Sequence, residues 1–506
     1  MKIEVGVEME LFKRLLDKST RYKIRLLFIL KNQNDFISLK ELSKKSGLEQ
    51  RTTERYITEI FDDFSNFRFS DSNLTITISH AKKIKLQYEL YEDFYSFQLF
   101  IISQSFSVIL LSDLLLGNEI ITSQYINKHF ISASTMRRRI EKILPILKTY
   151  NIKLNKNREG IILVGEELQI RILAYTFFWT LYKGKTWPFS IDRQLIENIE
   201  CGLFKNFENQ LSKTNIEDSS YILAINILRF RKGYPIEYSD EWLYDFMFED
   251  YILYKNNWTQ QYHLSENEYY FYLLVLQTQA KFYLDDRLKL PLIKFHQESN
   301  TPLNVSVQAF FDSFSKEIHS VTSSQKNDYY VYIFANHLFC ALFNNAPTGM
   351  LGQSVITDID NKFPILKSKL EVLIEQLSIK VKSTIFNNKD FLLPNYVLFF
   401  SFLQNISYFE TQISIYIDTD LPVLAEQRLK TQLLNYFGDN FNIKILTTVK
   451  TLKNSNFDLI LTNSFLPEIK SAIKSNQLIY ISEELDLDDI TRIKNVLENI
   501  RKEKKS

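Results

Sequence analysis

The sequence predicts a mainly α-helical, multidomain chain that ends in a small α/β domain. Three observations carry this reading. Gly (11) and Pro (10) together make up about 4% of the 506 residues, against roughly 12% in an average protein, so long helices and short connections are expected. Apolar residues recur at helical spacing over most of the chain, and from about Gln412 they give way to short β-branched runs. The length allows three or four domains of ordinary size, and 45% hydrophobic with 24% charged residues is a globular balance.

The first elements lie in SLKELSKKSGLEQRTTERYITEI, residues 38–60. Ser38 is a good N-cap, and Leu39 and Leu42 supply an apolar stripe. Gly47 provides the left-handed residue for a turn. A second helix follows from about Glu49, with Tyr56, Ile57 and Ile60 on its inner face. Short helix, Gly-containing turn and second helix form the helix-turn-helix layout. FRFSDSNLTITIS (67–79) then reads as a β-hairpin turning at Asp71–Asn73.

A second such pattern follows. The greasy run Leu99 to Leu116 holds Gln104, Asp113 and several serines, which are expensive in lipid, so it predicts a buried helix near 103–116 and no membrane span. TSQYINKHF (122–130) predicts a short helix with Ile126 and Phe130 inward. In STMRRRIEKILPILKTY, Met136, Ile140, Ile143, Leu144 and Leu147 share one helical face, and Pro145 is expected to end or kink the helix. With that face buried, Arg138 points away from the core. Ser134, Thr135, Glu141 and Lys142 flank it, with Lys142 a further candidate DNA contact. Arg137 and Arg139 lie at the edges of the stripe, Arg139 as suited to supporting the fold as to meeting a phosphate. This suits a helix whose first turns enter a major groove, where an arginine can donate two hydrogen bonds to a guanine edge and hydroxyls can reach phosphates. NIKLNKNREGIILVG (151–165) reads as strand, turn, strand, with Lys153, Lys156 and Arg158 placed to grip the adjacent backbone. The plainer alternative is a helical hairpin docked on other domains, its arginines solvated or paired.

Charge favours the first of these. Lys+Arg (61) and Asp+Glu (60) nearly cancel over the whole chain, yet residues 121–160 hold nine basic and two acidic residues. That is the local footprint of a polyanion partner. The earlier pattern carries Arg51 and Arg55 among Glu49, Glu54, Glu59, Asp62 and Asp63, so it is expected to assist rather than lead.

Across SASTMRRRIEKILPILKTYNIKLNKNREGIILVGEELQIRILAYTFF the chain resembles the Mga/RofA-like stand-alone virulence regulators of Gram-positive bacteria, with recognition helix, hairpin and a GEE-x-x-IR segment in family order. The resemblance implies two N-terminal winged helix-turn-helix modules (1–80 and 81–165), two helical domains like sugar-phosphotransferase regulation domains (166–288 and 289–410) and a C-terminal EIIB-like α/β domain (411–506). It also implies promoter binding on double-stranded DNA and activation of virulence or surface-protein genes in step with sugar status. Association as a homodimer or larger homo-oligomer is implied too, with RNA polymerase and phosphotransferase proteins as further partners. The family's DNA-contacting positions carry over to Arg137 and Arg138, and less directly to Arg51 and Arg55.

Residues 166–410 read as almost wholly helical, with a seam expected near DDRLKLPLIK (285–294) where charge and a proline interrupt the pattern. Histidines are sparse there: His263 in one half, then His296, His319 and His337. His337, in FANHLFCALF, is the phosphorylation candidate; its plainer role is a core histidine satisfied by a neighbour. The runs ISIYID (413–418), NIKIL (442–446), FDLILTN (457–463) and LIYIS (478–482) alternate with helices and predict a parallel sheet. In active EIIB subunits a cysteine follows the first strand. DTDLP (418–422) has none, which points to a docking or dimerisation module without phosphotransfer. Cys201 and Cys340 form no CxxC pair, the N-terminus does not read as a signal peptide, and a reducing cytoplasm is expected. No nucleotide-loop, nucleophile-elbow or metal-ligand motif occurs, so neither an enzyme nor a cofactor is expected. The alternatives are an RNA-binding antiterminator with similar regulation domains, or a non-catalytic scaffold that binds only protein.

Overall fold

The computed structural model describes residues 15–67, 74–79, 83–156, 160–204, 213–237, 258–284, 286–347, 358–447, 457–464 and 478–504. The chain divides into two compact units, 1–307 with 328–353 and 308–327 with 354–506.

In the first unit, α1 (Lys18–Lys31) is capped by Asp17, whose carboxylate accepts from the Thr20 amide at 2.8 Å. Strand β1 (Ile37–Ser38) leads into α2 (Leu39–Ser46), where Ser38 and Glu41 close a reciprocal capping box. Gly47 takes φ 67° and turns the chain into α3 (Gln50–Asn66), which buries Thr53, Tyr56, Ile57 and Ile60. The hairpin that follows is displaced from the expected 67–79. It pairs β2 (Thr75–Ile78) with β3 (Lys83–Gln87), because Ile84 and Leu86 supply the inward side chains that face Ile76. The expected turn at Asp71–Asn73 lies outside the described residues. β1 pairs with the far side of β3.

The apolar run after it makes two helices rather than one: α4 (Tyr91–Ser103) and α5 (Phe106–Leu115), meeting at 82°. Nearly every face of this run is apolar, so periodicity could not locate the bend. Breaking at Gln104–Ser105 lets both halves bury their surfaces. No single described helix is long and apolar enough to cross a membrane. Ile120 then pairs with Ile161, and α6 (Thr122–Lys128), α7 (Ala133–Thr149), β4 (Lys153–Lys156) and β5 (Ile161–Val164) complete the segment. The order helix, short extended segment, helix, helix, hairpin thus occurs twice, the segment being strand β1 the first time and the single bridge residue Ile120 the second. Both times it bonds to the hairpin's second strand.

Among the described residues four helices come next: α8 (Glu167–Tyr182), α9 (Arg193–Phe204), α10 (Lys213–Arg231) and α11 (Glu266–Gln277). Their core holds a charge lattice. Arg171 binds both carboxylate oxygens of Glu268 and also Glu167; Arg229 grips Glu167 and donates to the Leu115 carbonyl at the end of α5 at 2.8 Å. Two cations and two anions share the site, so every buried charge has a partner. Glu167 and Arg171 belong to the GEE-x-x-IR segment, and through Arg229 they tie α5 to the helices behind it. Where an interruption is expected at 285–294, residues 286–294 instead belong to a continuous helix, α12 (Asp286–Glu298), with Pro291 inside it. Leu292 and His296, one turn apart, are fully buried, and that packing outweighs the bond the proline removes.

The division between units falls within α13 (Pro302–Glu317) and α14 (Ser323–Leu342). The second unit continues with α15 (Ile359–Lys362), α16 (Pro364–Val381) and α17 (Lys389–Leu403). Among the described residues of the C-terminal part, four strands form a parallel sheet in the order β7 (Ile443–Leu446), β6 (Ile413–Asp418), β8 (Leu459–Thr462), β9 (Leu478–Tyr480). The flanking helices α18 (Val423–Phe437) and α19 (Leu487–Glu503) bury Leu429, Leu433, Ile493 and Leu497 against Ile413, Ile415, Ile417, Leu459 and Leu461.

Candidate nucleic-acid interface

Helix α7 carries the basic cluster. Ser132 caps it, accepting the Thr135 amide at 3.1 Å, and its hydroxyl lies 2.8 Å from that of Ser134 and 3.0 Å from that of Thr135. Three hydroxyls therefore gather where the helix dipole is positive. The buried face consists of Met136, Ile140, Ile143, Ile146 and Leu147; Leu144, expected inside, is exposed. On a wheel, 144 and 146 sit about 80° to either side of the stripe's centre, so periodicity favours neither. The face turns toward 146, and the helix runs unbroken through Pro145, whose own side faces solvent.

That rotation separates the three arginines. Arg138 stays opposite the core, exposed and without an ion-pair partner among the described residues. Arg137 is 82% exposed and lies 3.4 Å from Glu141, an open i,i+4 pair. Arg139 falls inside the rotated face at 14% exposure, bonding the Asp17 carboxylate at 3.3 Å. Lys142, expected to serve as a DNA contact, instead donates to the Leu16 carbonyl at 2.9 Å. Burial and the neighbouring Arg139 lower its pKa. Burial would raise the Asp17 carboxyl, but the Thr20 amide, Arg139 and Lys142 outweigh it and hold the group below the usual range. Residues 16–17, just before α1, thus fasten one flank of α7.

On the other side, the Tyr125 hydroxyl donates to Asp113 of α5 at 2.6 Å, and the Asn118 side chain donates to the same carboxylate at 3.1 Å. Burial and Asp113 push the Tyr125 phenol upward. Tyr125 is the buried anchor of α6. Phe130, expected to point inward, is 96% exposed at φ 51°. The expectation treated it as part of α6, whereas the helix has already ended at Lys128 and the left-handed turn throws the ring outward. Asp17, Asp113 and Tyr125 escaped the sequence reading because each acts across elements. Only the N-cap position of Asp17, just before an apolar helix, left a local signal.

Lys153 and Lys156 are both exposed on β4, beside α7, while Arg158 lies outside the described residues. In the earlier repeat Arg51 is exposed at the first turn of α3. Arg55 is partly occupied, lying 3.7 Å from Glu59 and 4.6 Å from the Tyr56 ring centre. Lys23 takes Asp63 at 2.6 Å. His337 has no exposed surface; its Nδ1 shares a hydrogen bond with Ser306 at 2.8 Å, and burial pushes its pKa down to about 3. A ring so enclosed is out of reach of a phosphoryl donor in the folded chain, contrary to its role as phosphorylation candidate.

Residues 91–178 match the family model for the Mga helix-turn-helix domain. The match begins with the first residue of α4 and takes in α5, α6, α7, the β4–β5 hairpin and most of α8. No curated protein matches the chain.

Proposed function

We propose that this chain, which carries an Mga helix-turn-helix domain at residues 91–178, is a sequence-specific DNA-binding transcriptional regulator. The observation that carries the proposal is Arg138: an exposed guanidinium, without an ion-pair partner among the described residues, on the outer face of α7, the second helix of the helix-turn-helix, with Arg137 beside it. In this reading Arg138 and Arg137 read base edges, Ser134 and Thr135 meet phosphate or base at the helix start, and Lys153 and Lys156 hold the backbone beside it. Residues 15–87 repeat the element order and act as a second winged module with Arg51 toward DNA. Lys142 is reassigned to positioning the helix, and Arg139 takes the fold-supporting one of its two expected roles.

The proposal extends to the five-part plan with boundaries near 80, 165, 288 and 410, to paired helical regulation domains and to an EIIB-like end. It also takes in activation of virulence or surface-protein genes linked to sugar status, homo-oligomeric assembly, and RNA polymerase and phosphotransferase proteins as partners. The β6–α18 loop supports a non-phosphorylated EIIB-like module, since its Asp420 is bonded to Asn463 and no thiol is present. The test is a competition of genomic duplex fragments against structured RNA for the full chain, followed by footprinting of the enriched duplexes. Discrete footprints that RNA does not displace are expected. Preferential capture of RNA, or of neither nucleic acid at low salt, would overturn the proposal.

A further inference from the structure

The turn between α6 and α7 is a Schellman motif. The Ile131 amide donates to the Ile126 carbonyl at 3.2 Å and the Phe130 amide to the Asn127 carbonyl at 3.3 Å, with Phe130 at the left-handed position after the cap. That position favours glycine, because a Cβ crowds the backbone there. The earlier repeat obeys the preference. Gly47 takes φ 67° three residues before α3 begins, and Phe130 stands three residues before α7 begins. The second repeat thus places one of the largest apolar side chains in a slot suited to the smallest, and leaves it 96% exposed. The Schellman bonds are backbone bonds and need no aromatic ring, and an exposed ring adds nothing to the core. Its cost to the fold has no return among the described residues.

Its surroundings identify the surface. Phe130 lies two residues before Ser132, whose hydroxyl gathers Ser134 and Thr135, and Asn127 and Lys128 are exposed just before it. The same helix start leads to Arg137 and Arg138. The ring is therefore continuous with the polyanion-facing surface, inside the matched helix-turn-helix domain. We propose that Phe130 is a specificity-determining residue that packs against thymine methyl groups in the major groove, beside the bases reached by α7. This inference rests on the DNA-binding reading above and adds an apolar contact to it.

The test uses the full chain, a duplex it enriches from a random-sequence library, and the variants Phe130→Gly and Phe130→Asn. Both replacements suit a left-handed backbone, so Tm is expected to hold or rise while affinity for the enriched duplex falls by about fivefold or more. Replacing thymine by uracil, position by position, should weaken the parent at one or two sites to which Phe130→Gly is indifferent. Parental affinity in both variants would overturn the inference, as would a loss of affinity that accompanies a lower Tm, since the ring would then support the fold. If the parent itself enriches no duplex, the DNA-binding reading fails first and takes this inference with it.

Discussion

The three consecutive arginines of α7 illustrate how far a single residue's role depends on tens of degrees of helix rotation. Arg138→Ala should lower affinity for a specific duplex by roughly 1–3 kcal/mol, as expected for a base-reading arginine, and leave Tm unchanged. Arg139→Ala should do the reverse at first order. It removes a half-buried pair with Asp17 that is worth on the order of 1 kcal/mol, visible as a lower Tm in a thermal melt. Asp17→Asn separates the two duties of that carboxylate, because asparagine still caps α1 but cannot pair with Arg139. It should lower Tm much as Arg139→Ala does, with little change in duplex affinity or in the helix content read by circular dichroism. Arg138 was legible in the sequence because it sits opposite the centre of the apolar stripe, where a modest rotation changes nothing. Arg137 and Arg139 both sit at the edges of the stripe, so the wheel alone does not fix which is buried; the sequence predicts that Arg137 contacts DNA and that Arg139 supports the fold or meets a phosphate. The asymmetry comes from Leu16 and Asp17, more than a hundred residues away in the chain.

At the scale of elements, local chemistry was read well where it is local. Ser38 and Gly47 specified a cap and a turn, the β4–β5 hairpin formed as expected, and the four β-branched runs became the parallel sheet. Bends and buried polar groups were not legible, because they answer to neighbours. The run 91–115 carries no mark of its 82° break, and Glu268 gives no sign that it will face Arg171. Arg171→Met would leave Glu268 buried without its main partner and should cost about 3–5 kcal/mol in urea denaturation. The helices α9 and α10 supply a pH prediction. Burial raises the Glu200 carboxyl to about 7 against the hydroxyls of Ser219, Ser220 and Tyr272. Burial likewise raises Asp218 to about 7 against Tyr175 and Gln279. Their unfolded values lie near 4, so the stability of burying them protonated is full below about pH 4 and is lost as the pH rises through about 7. His296 and His337, pushed down by burial to about 4 and about 3, titrate in the opposite sense: their contribution is present above about 6.5 and is lost as the pH falls. The parent's profile is therefore partly compensated, and the cleaner readout is a difference. Glu200→Gln should gain on the parent in Tm as the pH is raised from 5 to about 8.

For the whole molecule, near-zero net charge conceals a division of labour. The basic surplus is concentrated in residues 121–160, and its exposed members among the described residues lie on α6, α7 and β4. The two repeats share an element order but not a surface. Asp63 and Glu59 of α3 pair with Lys23 and Arg55 in the first, whereas Arg138 has no ion-pair partner among the described residues in the second. The lattice of Arg171, Arg229, Glu167 and Glu268 fixes the end of α5 to the helices that follow, so the DNA-facing module is built into the first unit rather than hung from it. The central claim, that the outer face of α7 reads duplex DNA, is tested most directly by equilibrium binding of the full chain to its enriched duplex and to a scrambled one. Salt would be varied between about 50 and about 200 mM for the parent and an Arg137→Ala/Arg138→Ala double variant. The account predicts that the parent's log affinity falls linearly with log salt and strongly favours the enriched duplex. It predicts that the double variant retains its Tm and weak, salt-sensitive binding but loses the preference. An unchanged footprint and unchanged discrimination in the double variant would contradict it.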